Sequence, residues 1–161
     1  MAKLQTAIQH RENGEYEQAE EILINLLTDN PNHPTYNYQM AWLCDVQGFE
    51  SRAVVYYEKA IENGLDGADL QRALLGLGST YRALGQYENA VKTLQKGKDT
   101  FPEANEFSVF LAMALHNLGK HDEAIELLLK VIAETSNDDN IQRFKRAILF
   151  YHDKINQTWT S

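Results

Sequence analysis

A glycine followed five residues later by an alanine occurs four times in this chain: GEYEQA (Gly14 to Ala19), GFESRA (Gly48 to Ala53), GQYENA (Gly85 to Ala90) and GKHDEA (Gly119 to Ala124). The glycines are 34, 37 and 34 residues apart, and the alanines keep the same spacings. A repeat of that period restricts the fold to a stack of like units, none of which can bury its apolar face alone. The three extra residues fall in GLDGADL, between Gly64 and Leu70. Two glycines and two aspartates mark that stretch as a loop, where an insertion leaves the packing units intact.

Each unit reads as two amphipathic helices. Before Gly85, QRALLGLGSTYRAL places Leu74, Leu77, Gly78, Tyr81 and Leu84 on one face at helical spacing; after it, Tyr87, Ala90, Val91 and Leu94 fall on another. Glycine between the two can take a left-handed conformation that closes the first helix. Asn30-Pro31 and Phe101-Pro102 end second helices, since proline cannot continue the hydrogen-bond ladder. The alanine sits where a small side chain lets the partner helix approach.

A 34-residue helix-turn-helix unit of this kind resembles the tetratricopeptide repeat. The third unit carries the pattern most fully, with Leu77-Gly78, Tyr81, Gly85, Tyr87, Ala90, Leu94 and Pro102. The second supplies Met40-Ala41, Gly48, Ala53, Tyr57 and Ala60, with Cys44 where tyrosine is usual. The fourth has Leu111-Ala112, Gly119, Ala124 and Leu128, with His121 in a tyrosine position, and the first has Gly14, Tyr16, Ala19, Leu23 and Pro31. The resemblance spans about residues 2–135 and implies an all-α, right-handed α-α superhelix of four helical hairpins (about 1–33, 34–67, 71–104 and 105–136) in one domain. The remaining segment aligns Ile141, Phe144, Ile148, Tyr151 and Ile155. It reads as a capping helix over about 138–157 that covers the end of the stack, with Asn137 or Asp138 as N-cap.

The resemblance also implies a function. First helices of successive units line a concave groove that the family commonly uses to hold peptides. By register that groove takes Leu4, Gln5, Ile8 and Arg11; Tyr38, Gln39, Trp42 and Asp45; Arg72, Leu75, Gly76, Ser79 and Arg82; and Val109, Phe110, Met113, His116 and Asn117. Tyr38, Trp42, Phe110 and Met113 are large apolar groups there, and two readings stay open: a binding surface, or packing against one another. One subclass of the family clamps C-terminal carboxylates of chaperone tails with Lys, Asn and Arg. Here Leu4, Ile8, Gln39 and Gly76 stand at clamp positions and only Arg72 is a fair substitute. An apolar or mixed peptide with at most one acidic contact, met by Arg72 and Arg82, fits better than such a tail.

Composition excludes several other classes. A formal net charge of −8 opposes binding to a phosphate backbone, and the densest basic cluster, Arg143, Lys145 and Arg146, reads as a solvated helix face. Cys44 is the only cysteine, so neither an internal disulfide nor a cysteine-rich metal site is expected. There is no signal-peptide core and no apolar run of membrane-spanning length, so a cytoplasmic protein without membrane or nucleic-acid partners is expected. Asn156-Gln-Thr158 matches a glycosylation acceptor, incidentally in that setting.

No chemistry emerges. Gly76-x-Gly78 lies inside a helix rather than after a strand, and so reads as packing, not a phosphate loop. None of His10, His33, His116, His121 and His152 forms a metal-binding pair on one helical face, and His116 and His121, either side of the Gly119 turn, are expected to point apart. Cys44 is expected to be a buried, inert thiol. The reading is a non-enzymatic adaptor of bacterial type, with no cofactor and no metal, acting on a separate polypeptide. A self-associating structural protein, such as a homodimer, and a regulatory subunit of a separate enzyme are the alternatives.

Overall fold

The computed structural model describes residues 2–160, and among them the chain is helical throughout, with no strand. The helices are α1 (Ala2–Glu12), α2 (Tyr16–Asp29), α3 (Pro34–Val46), α4 (Glu50–Glu62), α5 (Gly67–Ala83), α6 (Tyr87–Thr100), α7 (Asn105–Asn117), α8 (His121–Thr135), α9 (Asp139–Arg143) and α10 (Lys145–Tyr151). They fall into two compact units, residues 1–86 and 87–161, divided at the turn after α5.

The repeated glycine behaves alike at every turn. Gly14, Gly48, Gly85 and Gly119 have φ of 79°, 74°, 73° and 75°, in the left-handed region that a Cβ disfavours. Each closes a two-bond Schellman cap. At Gly85, the glycine N–H donates to the Arg82 carbonyl (3.0 Å) and the Gln86 N–H reaches back to Tyr81 (2.9 Å). Gly48 and Phe49 bond Asp45 and Cys44 in the same way, as do Gly119 and Lys120 with His116 and Leu115. The inserted loop follows suit, for Gly64 (φ 88°) and Leu65 cap α4 through Ile61 and Ala60. The repeated alanines are all buried.

In the first unit α1 packs on α2 and α3, and α3 on α2, α4 and α5, with α4 also against α5. Its core holds Leu23, Tyr38, Met40, Leu43, Cys44, Tyr57, Leu74 and Leu77. In the second unit α7 packs between α6 and α8, around Leu94, Phe107, Leu111 and Leu115. Gly97 on α6 is a close-approach position: a Cβ there would lie 2.0 Å from the Phe107 ring.

The C-terminal segment is helical in two short pieces rather than one helix over 138–157. Asp138 is the N-cap of α9, its carboxylate accepting from the N–H groups of Asn140 (2.8 Å) and Ile141 (3.0 Å). The Gln142 amide donates to the carbonyls of Ser136 (2.8 Å) and Ala133 (3.2 Å), tying α9 to the end of α8. At Phe144 the backbone leaves helical geometry (φ −105°, ψ 8°), and α10 then packs on α8. That break turns the expected apolar stripe. Ile141 and Ile148 are half-buried, whereas Phe144, Tyr151 and Ile155 are exposed.

Candidate functional site

The groove-register residues of the first unit join into a continuous cation–aromatic ladder across α1, α3 and α5. The Arg11 guanidinium lies 3.8 Å above the Trp42 ring centroid and donates to the Gln39 side-chain oxygen. Trp42 meets the Tyr38 ring at 5.8 Å, and Arg72 on α5 lies near enough to the Tyr38 hydroxyl to oppose the rise of its pKa. Arg72 also reaches Asp69 at 3.5 Å. Two arginines therefore bracket an aromatic pair, and Arg11 is stabilised there by the negative face of the Trp42 ring. Arg11 is buried, and among the described residues no carboxylate pairs with it. Desolvation lowers its pKa, although an arginine stays charged through the physiological range.

Exposure separates the members of this ladder. Tyr38 is 2% exposed and Gln39 6%, so both belong to the packed interior, although sequence register puts them on the accessible face. Trp42, Leu75, Ser79 and Arg82 are half-buried, and Arg72 is exposed. Burial first of all, with Asp69 assisting, pushes the Tyr38 hydroxyl up to about 12. Buried Tyr38 thus packs beside half-buried Trp42, with Arg72 near its hydroxyl.

Behind the ladder lies a polar cluster that sequence reasoning missed. The Asp45 carboxylate accepts from the Tyr57 hydroxyl (3.1 Å) and from Thr80 (3.0 Å), linking α3, α4 and α5. Desolvation raises the pKa of Asp45, while these two hydrogen bonds pull the other way. Gly76 is part of the same device. A Cβ on it would sit 2.6 Å from the Tyr57 hydroxyl, so its missing side chain makes room for that ring, as a packing role requires. Tyr57 belongs to the repeat pattern, but nothing in the pattern says that its hydroxyl seeks Asp45.

In the second unit the register positions lie on α7. Phe110 is half-buried, Met113 is 40% exposed, and His116 and Asn117 are exposed. The expectation that His116 and His121 point apart is corrected. The tight turn at Gly119 brings their Nδ1 atoms to 3.0 Å and their ring centroids to 4.6 Å. No cluster of three or more metal-ligating side chains occurs among the described residues. Cys44 is buried, and burial pushes its thiol pKa up, which keeps it from thiolate chemistry.

The Tetratrico peptide repeat model matches residues 34–155, about three quarters of the chain. The chain belongs to the tetratricopeptide repeat family. Solved tetratricopeptide structures share its fold. YrrB, a TPR protein with an unusual peptide-binding site, has a TM-score of 0.76 at 20% identity, covering 94% of this chain and 77% of that one. MamA from Desulfovibrio magneticus RS-1 has a TM-score of 0.73 at 22% identity, covering 88% of this chain and 74% of that one. Among curated proteins, Superkiller protein 3 of Saccharomyces cerevisiae is 27% identical over 93 residues. That match takes in 58% of this tetratricopeptide chain but only 6% of the yeast protein.

Proposed function

We propose that this chain is a non-enzymatic adaptor that holds a peptide segment of a partner protein against the ladder face of its first unit. The observation that carries the reading is the pair of arginines, Arg11 and Arg72, bracketing Trp42 and Tyr38. Half-buried Trp42 and Leu75 offer apolar contact, Ser79 offers a hydroxyl, and exposed Arg72 offers a cation for one acidic group. Buried Arg11, without a paired carboxylate, adds positive potential beneath the ring. Tryptophan and arginine are the side chains on which interface energy concentrates. The face is already assembled in the folded unit, so little ordering entropy opposes binding. The peptide-binding site described for YrrB adds support by likeness of fold.

The test is selection of ligands from a random peptide display library by the intact protein, followed by affinity measurement on Trp42→Ala and Arg72→Glu. Selected peptides should combine apolar residues with an acidic one. Trp42→Ala should weaken them by roughly thirtyfold, the loss typical of an interface anchor, and Arg72→Glu should remove the preference for the acidic residue. Peptides that bind both variants as they bind the parent would refute the reading, provided circular dichroism shows both variants folded.

A further inference from the structure

Large aromatic side chains of the segment after α8 stand in solvent: Phe144 is 61% exposed, Trp159 54%, Phe150 51% and Tyr151 48%. Three of these rings form one patch. Phe150 and Tyr151 meet edge to face at 5.0 Å, Trp159 folds back to 5.4 Å from Tyr151 and 6.1 Å from Phe150, and Lys154 reaches over Phe150 at 5.0 Å.

Charge singles out the same stretch. From the α9 N-cap onward, residues 138–161 carry four cations, Arg143, Lys145, Arg146 and Lys154, against Asp138, Asp139 and Asp153, a formal +1. The rest of the chain, with 11 basic and 20 acidic residues, carries −9. Lys154 is held by Asp153 at 2.6 Å and by the Phe150 carbonyl at 3.0 Å. Among the described residues no salt bridge engages Arg143, Lys145 or Arg146. The sequence alone makes these a solvated face; the structure adds protruding aromatic rings on the same short helices.

We infer that the aromatic–basic patch of α9, α10 and the Trp159 tail docks on an anionic lipid bilayer surface. Cations draw the segment to acidic headgroups, while aromatic rings standing half out of the protein enter the interfacial layer, where amphipathic rings are favoured. A second copy meeting the patch face to face would oppose like charges. A peptide partner calls for walls around its anchors, whereas rings exposed by about half project outward. This docking is peripheral, since no helix among the described residues is long and apolar enough to cross a membrane. It does not depend on the peptide-binding reading, which concerns α1, α3 and α5.

The test is flotation of the full chain with vesicles of phosphatidylcholine alone and of a roughly 3:1 mixture with phosphatidylglycerol. Binding should favour the anionic vesicles by roughly tenfold or more and weaken as salt rises. Arg143→Gln with Arg146→Gln should lower it by roughly tenfold. On a Trp42→Phe background Trp159 is the sole tryptophan, and its emission should shift to the blue on binding. Absence of flotation with either lipid would overturn the proposal, as would binding that ignores the arginine pair. So would a Trp159 shift produced by polyglutamate but not by vesicles, which would mark a face for an acidic protein. A mass on light scattering without lipid that falls from dimer to monomer in Phe150→Ser/Trp159→Ser would instead mark a contact between copies. The exposed arginine variant keeps the test decisive if that aromatic variant fails to fold.

Discussion

The two units solve one packing problem with different chemistry. In the first, helix contacts are pinned by buried polar groups: Asp45 with Tyr57 and Thr80, Arg11 with Gln39, and Tyr81 donating to Glu58. In the second, the central contact is an aromatic ring driven into a glycine. Phe107 on α7 is fully buried, stacks against Phe101 at 6.4 Å, and fills the space a Cβ would take at Gly97. Polar contacts gain little net free energy, because water competes for the same groups in the unfolded chain, but they specify geometry. Ring-into-glycine packing stores its stability in shape. The first unit therefore fixes the relative placement of its helices by polar groups aimed across them, the second by the shape of one ring.

The largest expected effect falls on the second unit. Phe107→Ala removes a fully buried ring and should cost about 4 kcal/mol, read from urea unfolding followed through Trp159. Gly97→Ala comes next, at about 3 kcal/mol, because the added methyl meets ring carbons of the fully buried Phe107 at 2.0–2.6 Å and forces that ring or the helices apart. The matching change in the first unit, Gly76→Ala, should cost less, about 1.5 kcal/mol. Its methyl meets the tip of Tyr57, at 2.6 Å from the hydroxyl, which can tilt at the expense of its bond to Asp45. Trp42 emission follows that unit. Equal losses at the two glycines would erase the distinction between ring packing and polar pinning.

Much of this is legible in the sequence, and the limit is instructive. The turn glycines and buried alanines follow from backbone sterics acting at each repeat, so periodicity alone places Gly14, Gly48, Gly85 and Gly119. Register also brings Arg11, Trp42 and Arg72 to one face. It cannot tell how deep each side chain sits: Tyr38 and Gln39 share the register of Trp42, yet neighbours on α1, α4 and α5 cover them. Asp45–Tyr57–Thr80 was invisible because its partners come from three helices with no fixed sequence offset. His116 and His121 converge because the Schellman turn folds the two helix ends together, a consequence of backbone geometry rather than residue type. The break at Phe144 escaped too, since a helical apolar stripe runs unbroken through it in the sequence.

A smaller effect sharpens the comparison further. Tyr57→Phe leaves the ring in place beside Gly76 and deletes one hydrogen bond, for an expected loss of about 1 kcal/mol. Thr80 still satisfies one Asp45 oxygen at 3.0 Å, which keeps the loss from growing.

Alkaline titration reads the same polar pinning without a mutation. Burial raises the hydroxyl pKa of Tyr38 to about 12, and raises those of Tyr57 and Tyr81 as well, the last helped by its bond to Glu58. An unfolded tyrosine releases its proton near 10.0, so above that pH the unfolded chain binds fewer protons than the folded one. By linkage, stability is fully present below pH 10, falls as pH rises beyond it, and is lost as the folded values are passed. All three groups lie in the first unit. With single-tryptophan variants, the Trp42 transition should therefore move to lower urea between about pH 10 and 12, while in Tyr57→Phe that movement shrinks. A Trp42 midpoint that held constant across this range would mean that the tyrosines ionise without opposing the fold, and that the polar contacts do not pin the first unit at all.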